Sequence, residues 1–372
     1  MSGVISDNTV RSSGVVAPLT SATLDANDPT KSTNPTDGVG TKWVNTTSGQ
    51  IFICIDDTAG ANSWIGQEGS NVGTAFMGDR AVWAGGNLTG GGSPTVTNRI
   101  QYNTIDSTGN ATDYGDLVTA VGGGPVGASG AGRGTFAGGY TAPGNTDDIQ
   151  YITISSTGNA SVLSDLPSQM SGQGASDGVR GWIRHNGTAN IYQWTISSTA
   201  NAIDWADLNY STNYGLAAGC SLQDRLFYAG GHDGNVTTYD YISYKSTLNN
   251  TIAQDFGNLQ EAAYQTAGTS DGTKGFILGG HIQSGAVTNK MQVITIATTG
   301  NASDWGNMTT INMSQGCCGN TSRCLAAGGG PNGGNDQTNV IMYWNPTLGT
   351  GNAVDFGDLI DPVNGPSGLS GD

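Results

Sequence analysis

The feature that most constrains this chain is a glycine doublet that closes a short apolar run and returns along most of its length. It stands in Trp83-Ala84-Gly85-Gly86, Phe136-Ala137-Gly138-Gly139, Tyr228-Ala229-Gly230-Gly231, Ile277-Leu278-Gly279-Gly280 and Ala326-Ala327-Gly328-Gly329. A degenerate copy, Ile183-Arg184-His185-Asn186, fills the one gap in the series. The first doublet position therefore falls at 85, 138, 185, 230, 279 and 328, in steps of 53, 47, 45, 49 and 49 residues. Self-similarity at such a period means that one supersecondary unit is used six times.

Each unit then carries an alternating apolar strand, such as Ile149 to Ile154 or Met291 to Ile296, and a turn built on Asn: Ser107 to Ala111, Ser156 to Ala160, Ser198 to Ala202 and Thr298 to Ala302. Gly and Asn tolerate positive φ, so this is a hairpin turn between a third and a fourth strand. Asp and an aromatic follow, in Asp113-Tyr114, Asp204-Trp205, Asp255-Phe256, Asp304-Trp305 and Asp355-Phe356; the second repeat has Val162-Leu163 instead. A large ring at one fixed place per unit is the filler that sheets packed face to face require. The remaining strand is made of small residues, as in Gly127-Ala128-Ser129-Gly130, Ala217-Ala218-Gly219-Cys220 and Gly316-Cys317-Cys318-Gly319, which suits strands converging on a crowded axis. The expected fold is all-β, a six-bladed β-propeller. The 60 glycines and only 11% charged residues suit short strands and tight turns.

The pattern resembles the kelch repeat, with its Asp-Gly-Lys-type turn, apolar strand ending in Gly-Gly, Tyr-bearing strand and final Trp. Asp271-Gly272-Thr273-Lys274-Gly275-Phe276-Ile277-Leu278-Gly279-Gly280, followed by Trp305, is most similar to it. The resemblance covers about residues 72 to 361 and implies a propeller. His185-Asn186 and Val162-Leu163 depart from it, so blades two and three are expected to be irregular.

Ahead of the repeats, residues 1–40 are polar, carry Pro18, Pro29 and Pro35, and show no apolar period, which predicts an extended arm. Residues 41–70 hold Lys42-Trp43-Val44, Ile51-Phe52-Ile53-Cys54-Ile55 and Ser63-Trp64-Ile65 between turns, a small β-meander with Trp43, Phe52 and Trp64 as its candidate anchoring residues. The propeller is assigned to residues 71–372. So small a meander is marginal alone and is expected to pack on the propeller, on its own copies or on a host assembly. The stretch from Thr36 to Gln67 resembles N-terminal modules of bacteriophage virion proteins such as fibres and appendages. That resemblance implies attachment to other virion proteins and carries no catalytic residues.

Charge and composition narrow the function classes. With 13 Lys and Arg and a formal charge of -16, nucleic acid is not expected as a partner. No apolar run approaches the length of a membrane helix, and Met1 to Pro18 lacks a signal peptide's basic and apolar regions, so neither membrane insertion nor standard export is expected. Five cysteines, with only Cys317 and Cys318 adjacent and no C-x-x-C, do not read as a disulfide framework or zinc site and suit synthesis in a reducing compartment. No cofactor is expected: neither a nucleophile elbow nor a phosphate loop is present, nor the Tyr, His and Cys spacing of copper-holding kelch-like oxidases. Asp113, Asp204, Asp255, Asp304 and Asp355 occupy one equivalent place, which favours a turn role over paired carboxylates. The sequons at Asn110, Asn159 and Asn301 fall in the same turns.

Two groups of residues are candidates for binding. Arg80, Arg133, Arg180, Arg225, Lys274 and Arg323 share one repeat position just before the Gly-Gly strand, a ring of positive charge suited to an anionic sugar or acidic partner. The plainer reading of the same residues is a solvated turn flanking a strand. His232 and His281 follow the doublet in consecutive repeats and share one expected rim. Either Gly365 to Asp372 or Val72 to Asp79 supplies the last innermost strand, and the C-terminal segment is favoured. The function expected is a virion component, made in the host cytoplasm, a tail fibre or capsid appendage. In it the N-terminal part attaches and oligomerises while the propeller contacts host surface carbohydrate or protein. A kelch-type protein-binding adaptor and a glycan-active enzyme are the alternatives.

Overall fold

The computed structural model describes residues 22–27, 29, 30, 32–46, 51–59, 62–66, 71, 72, 77–88, 95–130, 132–212, 215, 217–220, 225–234, 237–331 and 336–372. Among them the regular structure is β-strand throughout, without an α-helix. The chain divides into two compact units, Met1–Gly73 and Thr74–Asp372.

In the first unit a sheet is built from Thr23–Asp25, Lys42–Asn45, Ile51–Asp56, Ser63–Gly66 and Asn71–Val72, in that order. The meander of residues 41–70 is therefore wider than expected. Thr23–Asp25, inside the stretch read as an extended arm, pairs parallel to Lys42–Asn45, and Val72 pairs with Trp64. Residues 1–21 of that arm lie outside the described residues. Alternation along Ile51–Asp56 buries Phe52 and Cys54 beside Trp64, and Trp43 closes the cluster edge-on to Trp64 at 5.9 Å. The same alternation leaves Ile51, Ile53 and Ile55 on the opposite face, 37%, 43% and 44% exposed.

The second unit holds six repeats, each supplying four antiparallel strands, here a to d. Repeats 2 to 5 form four separate sheets. Their strands are Val126–Gly130, Arg133–Ala137, Asp148–Thr153 and Ser161–Asp165; Gly172–Ser176, Arg180–His185, Asn190–Thr195 and Ile203–Asp207; Ala217–Cys220, Arg225–Ala229, Tyr241–Ser246 and Gln254–Asn258; and Ala267–Ser270, Lys274–Leu278, Lys290–Thr295 and Ser303–Asn307. Repeat 6 has Gly316–Gly319, Cys324–Ala327, Thr338–Trp344 and Val354–Asn364. Repeat 1 takes its b, c and d strands from Arg80–Ala84, Thr95–Thr104 and Thr112–Val121, and its a strand from Ser367–Gly371 at the other end of the chain. The favoured C-terminal segment thus occupies the slot beside Arg80–Ala84; of its competitor, residues 73–76 lie outside the described residues. The short strand Asn87–Leu88 bridges repeats 6 and 1 into one larger sheet.

The a strands touch one another in cyclic order, repeat 6 meeting repeat 1 and repeat 1 meeting repeat 2. The core follows the same cycle. Its six apolar clusters each draw on two consecutive repeats, and the last combines Leu325, Ile341 and Phe356 with Trp83 and Ile105. No sheet covers its own apolar faces, so burial is obtained only from neighbours.

A bulge recurs at one place in all six c–d pairs. The extra residue is the one read from sequence as the fixed aromatic, Tyr114, Trp205, Phe256, Trp305 or Phe356, and in repeat 2 the Leu163 that replaces it. A bulge leaves a ladder carbonyl unpaired, and in four junctions the next repeat uses it. The amides of Gly158, Gly300, Gly351 and Gly109 donate to the carbonyls of Tyr114, Phe256, Trp305 and Phe356 at 2.8–2.9 Å. The glycine after the bulge is required there: Gly115, Gly257, Gly306 and Gly357 have φ of 148–152°, and a Cβ on any of them would stand 2.4–2.5 Å from the neighbouring turn's carbonyl oxygen.

Candidate binding face

Strands a and b pair with Gly130 opposite Arg133 and Val126 opposite Ala137, so the basic residues and the Gly-Gly doublets lie at opposite ends of each sheet. The six cations and the two histidines therefore do not share a face.

The cations form a belt between repeats. Arg80 donates to the Ile154 carbonyl, Arg133 to Ile196, Arg180 to Thr247, Arg225 to Ile296 and Ala297, Lys274 to Pro346, and Arg323 to Ile105. Every acceptor belongs to the c–d turn of the following repeat, and repeat 6 reaches repeat 1. Each cation also lies over a ring of its own repeat: Tyr102, Tyr151, Trp182, Tyr244, Trp305 or Tyr343, at 4.4–5.3 Å. All six are half-buried. A guanidinium held between a ring and a carbonyl ties adjacent repeats together by charge-assisted bonding.

At the opposite end the loops of repeats 4 and 5 assemble aromatic rings. The two-residue strands Ala263–Tyr264 and His281–Ile282 pair with Tyr264 opposite His281, which stacks these rings at 5.0 Å. His232, from the preceding repeat, also lies against Tyr264, its ring centroid 4.8 Å away and tilted by 44°. The doublet makes this approach possible: Gly280 has φ 95°, and a Cβ there would lie 2.5 Å from the Tyr264 carbonyl. His232 Nδ1 accepts the Gly234 amide at 2.9 Å, and His281 Nδ1 lies 3.2 Å from the Gly285 carbonyl, to which it can only donate. Beside them, Tyr239 and Tyr241 stack at 5.1 Å and Tyr210 meets both edge-on. Burial pushes the Tyr210 phenol well above its ordinary range, while Tyr241 is 43% exposed.

Sequence reasoning placed His232 and His281 on one rim but missed Tyr264, Tyr210, Tyr239 and Tyr241. The available signal was the concentration of tyrosines at 210, 239, 241 and 264, in strand c of repeat 4, the connection before it and the connections that flank this repeat. Asp113, Asp204, Asp255, Asp304 and Asp355 are all exposed, each in a different repeat. Among the described residues no group of three His, Cys, Asp or Glu is placed to hold a metal, and no helix is long and apolar enough to cross a membrane.

No protein-family model matches the chain, and no curated protein shows significant similarity to it.

Proposed function

We propose that this chain is a non-catalytic component of a bacteriophage virion, a tail fibre or surface appendage. Its first unit attaches to the particle, and the second, a six-bladed kelch-like propeller, is displayed toward the host. The propeller reading rests on six repeats whose a strands and apolar clusters succeed one another in a cycle. The virion reading rests on one observation above the others: among its described residues the apolar core of the first unit is Phe52, Cys54 and Trp64 with Trp43 packed against them, while Ile51, Ile53 and Ile55 line the other face of the same strand. A sheet with so small a described core and a partly exposed apolar stripe gains stability from a partner on that stripe. The partner is another virion protein, with further copies of this chain assembling alongside it.

At the displayed end, the Tyr264 stack and the Tyr239–Tyr241 pair offer flat aromatic faces of the kind that receive the C–H faces of a sugar. Host surface carbohydrate is the ligand class these rings suit.

Light scattering on the full chain and on a chain starting at Thr74 tests attachment. Oligomers from the full chain, lost on truncation or in Ile53→Glu, support the proposal. Monomers throughout, with no binding to isolated particles, overturn it and leave the protein-binding adaptor as the better reading.

A further inference from the structure

We infer that the aromatic loops of repeats 4 and 5 take a saccharide that carries a protonated amine, in preference to a neutral or an acidic one. The inference rests on the carbohydrate reading above and narrows it by charge.

The rings offer faces rather than a hole. Tyr241 is 43% exposed, and Tyr239, Tyr264 and His281 are half-buried. Tyr239 and Tyr241 stack within 14° of parallel, and Tyr210 packs edge-on against both, at 5.7 and 5.3 Å, which fixes their direction. Rings held in this way present a set surface to the C–H groups of a sugar. The negative face of a phenol ring also attracts a cation.

Charge then decides between sugars. Asp233 is within reach of both groups of rings. Its Oδ1 lies 3.8 Å from Nδ1 of His232, the ring set against Tyr264. Burial and the Asp233 carboxylate together raise the Tyr239 phenol above its ordinary value. Among the described residues the cations at this end of repeats 3 to 5 are already committed: Arg184 is fully buried, and Lys290 pairs with Glu261 at 3.4 Å. Arg180, Arg225 and Lys274 belong to the belt at the opposite end. With a formal charge of -16 behind it, a surface of this kind repels an acidic sugar and draws an ammonium group toward carboxylate and ring face alike.

The loop that carries Asp233 is built in advance. Asp233 Oδ1 accepts the Thr237 amide at 3.1 Å, His232 and Thr238 form a β-bridge, and the Thr238 amide donates to Gln283 Oε1 of repeat 5 at 2.7 Å. A carboxylate fixed before binding spares the ligand the cost of ordering it.

The test is calorimetric titration of the full chain at about pH 6, where sugar amines are largely protonated. The probes are the β-1,4-linked trimers of glucosamine and of N-acetylglucosamine, which differ in charge, together with sialyllactose and spermidine. The glucosamine trimer is expected to bind at least about tenfold more tightly than its acetylated counterpart, and added salt should erode that advantage. Asp233→Asn keeps an acceptor for the Thr237 amide and should cut the preference to about threefold or less. Tyr241→Ala should weaken both trimers. Asp304→Asn, the same change of charge at the opposite end of repeat 5, should alter neither. Equal binding of the two trimers, tighter binding of sialyllactose, or a preference that survives Asp233→Asn overturns the inference and leaves the carbohydrate reading standing. Spermidine binding as tightly as the glucosamine trimer overturns it too, since charge alone would then be read. Silence from every saccharide overturns both.

Discussion

Four of the six junctions between repeats are alike, and the two that flank repeat 3 are not. At the alike junctions a glycine on strand d faces a glycine in the next turn, and the bulge carbonyl is bonded across the gap. On either side of repeat 3 both glycines are absent. Ser164 precedes a turn with Ala200, whose amide bonds to Ser198 Oγ. Ala206 precedes a turn with Thr251, whose amide bonds to Asn249 Oδ1. The turn asparagine that accepts a strand d amide at five junctions is replaced at the sixth by Ile252, 61% exposed. The glycines are thus a matched set: when one side acquires a Cβ, the other no longer approaches, and the orphaned turn amide is satisfied locally. A buried cation, Arg184, braces repeat 3 in their stead. Arg184 stands where the regular repeats have a small or aliphatic residue before the doublet and bonds to Asn186 and to the Thr188 and Thr212 carbonyls. Lys245 lies 4.4 Å over Trp205 of repeat 3.

If this account holds, the largest effect belongs to Arg184→Ala. It empties a fully buried site and strips donors from two carbonyls, and chemical denaturation should show a loss of roughly 4 kcal/mol. A loss below about 1 kcal/mol would mean that repeat 3 does not rely on its cation. Next, Gly306→Ala should cost roughly 3 kcal/mol, since a Cβ meets the Gly351 carbonyl at 2.5 Å. Ser164→Ala, at the equivalent place of repeat 2, should stay within about 0.5 kcal/mol. Equal losses would break the distinction between the two kinds of junction.

Lys245 gives a smaller effect of opposite sign. Burial lowers its ammonium from near 10.5 to about 8. Between those values the unfolded chain binds the proton and the folded chain does not, so stability rises with pH across this window, and the penalty is fully present below about pH 8. Lys245→Met should add about 1 kcal/mol at pH 7 and remove that rise relative to the parent protein. Thermal melts at pH 7 and 9.5 read both, and an unchanged pH slope would count against a buried cation here. Smallest of all, Arg133→Lys should change stability by no more than about 0.5 kcal/mol, because Lys274 already fills the equivalent place in repeat 5 with the same kind of acceptor.

The repeat count, the strand order within each repeat and the small-residue strands were legible because glycine doublets and Asn turns are local backbone requirements written in local sequence. The irregularity of repeats 2 and 3 was visible for the same reason, in His185-Asn186 and Val162-Leu163. The aromatic cluster was half legible: His232 and His281 follow the doublet in register, whereas Tyr264 joins them through a two-residue strand that no periodicity announces. The six cations were found in the right place, but a shared repeat position does not say whether a charge faces solvent or a neighbouring carbonyl.

By itself the sequence determined that the chain is all-β, that one unit recurs six times, and that its glycines sit where the backbone must turn or approach closely. Only the tertiary structure decided that the basic residues join adjacent repeats, that Ser367–Gly371 completes the first sheet, and that His232 and His281 of successive repeats both meet Tyr264. The reason is physical. Conformational restraints act within a few residues and leave a local signature, whereas these three arrangements bring together groups from different repeats, whose spacing depends on how every intervening sheet is packed.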